Sequence, residues 1–174
     1  LVALGDDGSG NLVVFANSGG TTLFSYRLAG DALPDVTLPA VPRGLAWGHG
    51  ALYATITGAV VAVDGSGAVT TVISDNVGSA DGLTMVEVGN ATYAFIASSS
   101  DSRVYVHRVS GTPAFIGTLT VKNGSATVTP KYVASNNAWL VLQDSATANY
   151  KIVDLNDALV ALQLVNSAVD RGTP

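Results

Sequence analysis

The sequence predicts an all-β protein, and three observations support that prediction. Helical periodicity is nearly absent, whereas short runs of β-forming residues separated by Gly, Asn, Asp or Ser recur along all 174 residues. Strands beginning at Val13, Val60, Val104 and Tyr150 follow one another at steps of 47, 44 and 46 residues. Such spacing is typical of β-propeller blades, whose period is about 40 to 50 residues. We therefore expect a β-propeller.

The chain divides into four approximate repeats within a single domain. These repeats cover residues 1–38, 39–75, 76–122 and 123–165, and each is predicted to form a four-stranded antiparallel sheet. The second repeat supplies "RGLAWGH", "ALYATIT", "GAVVAVDG" and "AVTTVIS", with a hairpin turn at "DGSG". The third supplies "DGLTMVEV", "TYAFIASS", "RVYVHRV" and "AFIGTLTV", and the fourth "PKYVAS", "AWLVLQD", "NYKIVDL" and "LVALQLV". Four such repeats make four blades, or part of a larger ring.

The two ends of the chain deviate from this pattern. The first repeat shows only "LVALGD", "NLVVFAN" and "TLFSYRL", so we expect it to lack its innermost strand. Residues 166–174 follow the fourth repeat and are predicted to supply that strand, either to the same chain or to another molecule. A helix in "DLNDALVALQ", capped by Asp154 or Asn156, is the alternative for the region before them.

Composition excludes several classes of partner. The eight basic residues are scattered singly and the net charge is -5, which argues against nucleic acid. Polar residues interrupt every apolar run before the roughly 18 residues that a membrane helix needs, so we expect no membrane insertion. With 48% apolar and 12% charged residues, many strands are predicted to be covered on both faces, either by other layers of this chain or by neighbouring molecules, which allows self-association. The absence of cysteine excludes disulfides and thiolate metal sites.

Two sequons favour an extracellular or cell-surface protein. They are Asn90-Ala-Thr92 and Asn123-Gly-Ser125, and both fall in predicted turns where an oligosaccharide is accepted. The chain begins at Leu1 without a basic segment followed by an apolar one, so we expect any signal peptide to have been removed or left out. Asn90 and Asn123 are therefore the predicted glycosylation sites.

Three segments carry a family resemblance. The segment "DGLTMVEVGNATYAFIASSSDSRVYVHRV" resembles a blade of the β-propeller phytases that reads E-G-L-T-I, then Y-L-x-A-S-S, then Y-x-x-Y. Before it, "GALYATITGAVVAVD" is similar to the L-Y-I-A-E-E strand pair of that family. After it, "AWLVLQDSATANYKIVDLNDAL" is similar to the terminal L-x-V-Q-D-G and F-K-x-V segment. The resemblance implies a propeller, although the family ring has six blades.

The resemblance also implies calcium-dependent phosphomonoester hydrolysis, but this chain has few of the carboxylates which that chemistry needs. Asp81 matches the acid of E-G-L-T, and Asp144 matches the acid of Q-D-G. Ile56 and Thr57 replace the acidic pair of L-Y-I-A-E-E, and "KNGSATVTP" contains no acid. Asp81 and Asp144 are thus candidate metal ligands, with turn roles as the alternative, and no catalytic residue is assigned.

We therefore expect a secreted, non-catalytic β-propeller that acts as a structural or adhesive subunit and assembles with copies of itself into filaments by strand exchange. One alternative is a calcium-dependent phosphoesterase, and another is a ligand-binding propeller that uses Arg43, Arg103 and Asp101. No cofactor is expected, unless calcium is retained. Seven aromatic residues at blade-like positions are predicted to pack in the core: Phe15, Trp47, Tyr53, Phe95, Tyr105, Trp139 and Tyr150.

Overall fold

The structure is a computed structural model that describes residues 1–6, 9–28, 30–136 and 138–164. It consists of antiparallel β-sheets with one short helix, which confirms the all-β prediction. Within the described ranges, no helix has the length and apolar character needed to cross a membrane.

Three sheets are four-stranded meanders in which each strand pairs with the next one in the sequence. Sheet 1 contains β1 (Val2–Asp6), β2 (Leu12–Ala16), β3 (Thr22–Arg27) and β4 (Ala32–Thr37). Sheet 2 contains β5 (Gly44–Gly48), β6 (Ala51–Ile56), β7 (Ala59–Val63) and β8 (Val69–Ile73). Sheet 3 contains β9 (Leu83–Val88), β10 (Ala91–Ser98), β11 (Arg103–Arg108) and β12 (Ala114–Leu119).

The last part of the described chain differs from this plan. A two-stranded hairpin of β13 (Lys122–Asn123) and β14 (Ala126–Thr127) precedes sheet 4. Sheet 4 has three strands, β15 (Pro130–Ser135), β16 (Trp139–Asp144) and β17 (Tyr150–Asp154), and helix α1 (Leu155–Ala161) follows them.

The sheets pack face to face in chain order. The first strand of each sheet contacts the first strand of the next, so β1 lies against β5, β5 against β9, and β9 against β15. A separate hydrophobic cluster fills each of the three sheet-to-sheet spaces. Strands β6 and β10 are buried on both faces, which explains why their sequences are nearly continuous apolar runs.

Glycines let the first strands approach one another closely. A Cβ on Gly44, at the start of β5, would lie 2.8 Å from the backbone nitrogen of Leu83 in β9. A Cβ on Gly82, just before β9, would lie 2.8 Å from Cα of Tyr132 in β15. Real Cβ atoms do not approach other heavy atoms this closely, so a larger residue at either position would push neighbouring sheets apart.

Sheet 1 corrects the prediction that the first repeat lacks its innermost strand. That repeat has four strands, because Ala32–Thr37 forms β4 at the outer edge of the sheet. β1 already occupies the innermost position, where it contacts β5. The prediction that residues 166–174 supply a missing strand concerns a segment outside the described residues, but sheet 1 offers no gap of the predicted kind.

Helix α1 corrects the prediction of a fourth strand at "LVALQLV". Asp154 is the N-cap, and its side chain accepts hydrogen bonds from the backbone N–H groups of Asn156 and Asp157. Leu155 and Leu159 of the helix pack into the hydrophobic cluster between sheets 3 and 4. The helix thus covers apolar surface that an outer strand covers in the other sheets, and the alternative interpretation of this segment is the correct one.

The outward faces of sheets 1 and 4 are exposed. Among the described residues, no hydrophobic cluster joins these two sheets. Cross-strand pairs assign each exposed residue to a face, because directly opposed residues point to the same side. We define the leading face on sheet 1 by Val2, Leu4, Leu12, Val14 and Tyr26. We define the trailing face on sheet 4 by Tyr132, Trp139, Val141, Tyr150 and Ile152.

These two faces also correct the prediction for the aromatic residues. Tyr53 and Phe95 are buried in the core, as expected. Trp139 and Tyr150 are not, because 47% and 70% of their surfaces are exposed on the trailing face. Their strand positions match those of buried residues in the other sheets, but among the described residues no further sheet follows sheet 4 to cover them.

Candidate functional site

A cavity of about 450 Å³ lies where the first strands of the sheets begin. Each of the four sheets contributes to it, through the first strand or the segment just before that strand. The cavity is lined by Leu1, Pro42, Arg43, Asp81, Lys131 and Tyr132. It brings the candidate metal ligand Asp81 together with two cationic side chains, which the sequence alone did not associate with it.

A second cavity of about 340 Å³ lies farther along the same strands. Its walls come from β1, β5, β9 and β15, and include Leu4, Trp47, Met85 and Ala134. All four first strands therefore face a common space. Among the residues that line it, the hydroxyls of Thr84 in β9 and Ser135 in β15 are 2.9 Å apart.

Asp81 is 9% exposed, and protein donors occupy both of its carboxylate oxygens. Oδ2 accepts hydrogen bonds from the Ser99 hydroxyl at 2.6 Å, from the Ser99 backbone N–H at 2.9 Å, and from the Ser79 hydroxyl. Oδ1 accepts a hydrogen bond from Nη1 of Arg43 at 3.3 Å. We call Arg43, Ser79, Asp81 and Ser99 the Asp81 cluster.

The Asp81 cluster connects sheet 2 to sheet 3. Arg43 immediately precedes β5, and its Nη1 also donates to the backbone oxygen of Ser79 at 3.0 Å. The Thr55 hydroxyl in β6 donates to the backbone oxygen of Asp81 at 3.1 Å. Ser99 follows β10 in sheet 3, so the carboxylate holds together segments from two neighbouring sheets.

The electrostatic environment favours the charged form of Asp81. Burial raises the pKa of this carboxyl, but hydrogen bonds from Ser79 and Ser99 and the charge of Arg43 outweigh burial. Together they hold the pKa of Asp81 below its usual value. The cluster is therefore stabilised by a carboxylate that stays ionised at neutral pH.

A second acid extends this network towards the surface. The Ser98 hydroxyl, which accepts from the Ser79 backbone N–H, donates to Oδ2 of Asp101 at 2.8 Å. The Tyr105 hydroxyl donates to the same oxygen at 3.1 Å. The hydrogen bond from Ser98 is the main reason why the pKa of Asp101 lies below its usual value, and the charge of Arg103 adds to this effect.

Asp144 lies in a different environment at the end of β16. Its Oδ1 accepts from the backbone N–H groups of Ala146 and Thr129 at 3.0 and 3.2 Å, and Oδ2 accepts from the Thr147 hydroxyl at 2.9 Å. The Ala146 hydrogen bond is the main cause that lowers the pKa of Asp144. Asp144 shares no hydrogen-bonding partner with Asp81, and its contacts are those of a turn residue.

The residues around Asp81 do not fit a calcium ion. Calcium takes six to eight oxygen ligands, with carboxylates supplying most of the negative charge. Here the guanidinium of Arg43 stands at Oδ1, where it would repel a divalent cation, and an N–H group occupies Oδ2. Within the part of the chain that the structure describes, no three His, Cys, Asp or Glu residues form a group that could hold a metal.

The predicted glycosylation sites lie outside the Asp81 cluster, and the residues of the ligand-binding interpretation are divided. Asn90 is exposed in the turn between β9 and β10, and Asn123 is exposed in the β13–β14 hairpin. Arg103 is exposed at the start of β11 next to Asp101, whereas Arg43 lies in the Asp81 cluster. The three residues of the ligand-binding interpretation therefore divide between two places.

Comparison with known proteins supports the fold only. No protein-family model matches the chain, and no curated protein sequence does. The chain is similar to the crystal structure of the computationally designed Ika4 protein, with a TM-score of 0.51, 15% identity, and 88% of each chain covered. It also matches the extracellular domain of a putative hybrid two-component system from B. thetaiotaomicron, with a TM-score of 0.47 and 12% identity. That match covers 87% of this chain and 22% of the other.

Proposed function

We propose that this chain is a non-catalytic, phytase-like β-propeller that serves as a structural or adhesive subunit outside the cell. The arrangement of the sheets supports the propeller. Four sheets follow one another in chain order, and their first strands line a common space as the inner strands of blades do. The similarity to the designed protein supports the same all-β architecture.

The hydrogen bonds in the Asp81 cluster are the main support for a non-catalytic role. The one acid that matches the E-G-L-T motif pairs with Arg43 and accepts from Ser79 and Ser99, so its oxygens hold the protein together. A catalytic calcium site would need those oxygens to face an ion. In this chain, Asp81 strengthens the contact between sheets 2 and 3.

The leading and trailing faces support a subunit that associates with other molecules. Both faces carry several exposed large apolar side chains, and such patches often mark sites of protein–protein interaction. Exposed sequons at Asn90 and Asn123 support a location outside the cell, because glycosylation at such sites is typical of secreted proteins.

One observation favours a phosphate-binding alternative. Arg43 and Lys131 line the same cavity, and two cations at one cavity can attract an anionic group. A calcium-dependent phosphoesterase would use that cavity to hold its substrate. Both cations have other contacts, however, since Arg43 pairs with Asp81 and the Lys131 amine lies 5.9 Å from the centre of the Tyr132 ring.

Three measurements on the purified chain test this function: its assembly state, its release of phosphate and its thermal unfolding. Electron microscopy and sedimentation velocity should show assemblies larger than one chain, and phosphate release from phosphomonoesters should not rise when calcium is added. The midpoint of thermal unfolding should also be the same in calcium and in a chelator. A bound calcium ion would stabilise the folded state and raise that midpoint. Monomers at every concentration would refute the subunit role. Calcium-dependent phosphate release that Asp81→Asn abolishes would establish the alternative.

A further inference from the structure

We propose that copies of this chain associate head to tail, with the leading face of one copy packed on the trailing face of the next. This inference rests on the proposed subunit role and names the partner, a second copy of the same chain. The leading and trailing faces are the surfaces defined above on sheets 1 and 4.

The leading face exposes apolar side chains on three neighbouring strands, and Asp6, which is paired with Leu12, lies at its end. Val2 and Leu4 of β1 are 66% and 57% exposed, and Leu4 is paired with Val14 of β2. Val14 in turn is paired with Tyr26 of β3, which is 46% exposed. The opposite face of sheet 1 is the one that packs against sheet 2, through residues such as Leu23. Among the described residues, no hydrophobic cluster lies on the exposed face of sheet 1.

The trailing face exposes apolar and aromatic side chains on the three strands of sheet 4, and the polar Gln143 lies among them, paired with Tyr132 and Tyr150. Tyr132, Trp139 and Tyr150 are between 46% and 70% exposed, and Ile152 is 60% exposed. Helix α1 does not cover this face, because its apolar residues pack on the other side of sheet 4, against sheet 3. Tyr and Trp are enriched among the residues that dominate binding energy at protein interfaces.

The packing inside the chain shows why these two faces match. Sheets 2, 3 and 4 each bury one face against the preceding sheet, and sheets 1, 2 and 3 each bury the opposite face against the following sheet. The leading face is the face that would meet a preceding sheet, and the trailing face is the one that would meet a following sheet. Sheet 1 of a second copy, placed after sheet 4, continues an interface that the chain already forms three times.

Residues 166–174 are a poorer match for these faces than a second copy. Their only Val, Ile, Leu or aromatic side chain is Val169, and Ala168 adds a single methyl group. One short segment of this composition cannot cover two sheet faces that together expose several large apolar side chains. Packing between copies covers both faces, because the leading face of one copy covers the trailing face of the next.

Head-to-tail contact uses two different surfaces, so an open assembly keeps a free leading face at one end and a free trailing face at the other, unless a ring closes. Repetition of the step therefore produces either a closed ring of copies or an open filament. In both cases every contact joins one leading face to one trailing face, and that pairing is what an experiment can test.

Three single variants separate the two faces. Leu4→Lys places a charge on the leading face, and Ile152→Lys places one on the trailing face. Val160→Lys is the matched control, because Val160 is 38% exposed on α1 and lies on neither face. All three positions are solvent-exposed, so circular dichroism and thermal unfolding should show folded proteins. We expect each face variant to weaken association roughly tenfold or more by sedimentation velocity, whereas the control should associate as the unmodified chain does.

Mixing the two face variants gives the decisive result. Leu4→Lys retains an intact trailing face and Ile152→Lys an intact leading face, so an equimolar mixture should form one-to-one dimers at a concentration where each variant alone is largely monomeric. If either variant alone still associates as the unmodified chain does, or the mixture stays monomeric, the head-to-tail inference is wrong while the subunit role stands. An unmodified chain that never associates would instead refute the subunit role itself.

Discussion

Trp47 of sheet 2 occupies the space that a side chain on Gly5 of sheet 1 would need. A Cβ on Gly5 would lie 2.2 Å from Cδ2 of the indole, and the same indole stacks on Phe15 with ring centres 5.6 Å apart. The distance between β1 and β5 therefore depends on glycine at this position. Because the same kind of close approach recurs at Gly44 and Gly82, the packing of all four sheets depends on small residues on the first strands.

Gly5→Ala should destabilise the protein by about 1–3 kcal/mol, which is the usual cost of forcing extra atoms into a packed core. Gly65→Ala is the control, since a Cβ there would meet no atom within 4 Å. Chemical denaturation of both variants measures the free energy of unfolding. Equal stabilities for the two variants would show that Trp47 moves without cost and that the sheet spacing does not depend on Gly5.

Asp81→Asn should lower the free energy of unfolding by about 1–3 kcal/mol, because an amide cannot accept every hydrogen bond that the carboxylate accepts and does not pair with Arg43. Asp35→Asn removes one negative charge at an exposed position and is the matched control. Denaturation near neutral pH compares the two. A loss no larger than that of the control would contradict the structural role of the Asp81 cluster.

The effect of Asp81 should also depend on pH. A carboxyl whose pKa is lower in the folded state adds stability above its unfolded pKa, and that stability is lost as the pH falls through the folded pKa. The difference in unfolding free energy between the unmodified chain and Asp81→Asn should thus be largest above the usual aspartate pKa of 3.8 and shrink below it. Acids that both proteins retain, such as Asp101, contribute equally to the pH dependence of both unfolding free energies, so their contributions cancel in the difference. A difference that stays constant down to about pH 2 would contradict an ionised Asp81.

The sequence predicted the strands of sheets 2 and 3 well because local and tertiary preferences agree there. Apolar β-forming runs such as β6 alternate with turns that are built by Gly and Asp. In the "DGSG" turn, the Asp64 carboxylate accepts from the backbone N–H groups of Ser66 and Ala68, as such a turn requires.

The strand β4 was missed because its sequence does not favour a strand. Pro34 and Asp35 interrupt it, and both residues are rare in the interior of sheets. At the outer edge of sheet 1 these residues are tolerated, since an edge strand leaves one row of backbone groups without a partner strand. Only the position of β4 in the folded sheet explains why it forms.

The candidate site was predicted in part. The likeness to E-G-L-T singled out Asp81, but nothing in the sequence placed Arg43, 38 residues away, at its carboxylate. The contact exists because Arg43 directly precedes β5 and Asp81 lies two residues before β9, and these two first strands lie side by side. The available signal was therefore the repeat pattern, because residues that lie just before the first strands of successive repeats come close together in the fold.

Asp154→Ala tests the helix that replaces the predicted fourth strand of sheet 4. Asp154 caps α1 by accepting from the backbone N–H of Asn156 at 2.8 Å, so its loss should cost about 1 kcal/mol of stability. Asp157→Ala, within the first turn of the helix, is the control that removes an acid but not the cap. Chemical denaturation distinguishes them, and equal losses would argue against a capped helix at this position.

Deletion of residues 166–174 separates the two ways in which copies could associate. If that segment were exchanged between molecules as a strand, its removal would abolish assembly. Head-to-tail packing instead uses the leading and trailing faces, both of which the shortened chain keeps, so we expect its sedimentation profile to match that of the full chain. The full-length Ile152→Lys variant is the control for lost association. A shortened chain that behaves like this control would show that residues 166–174 themselves make the contact between copies.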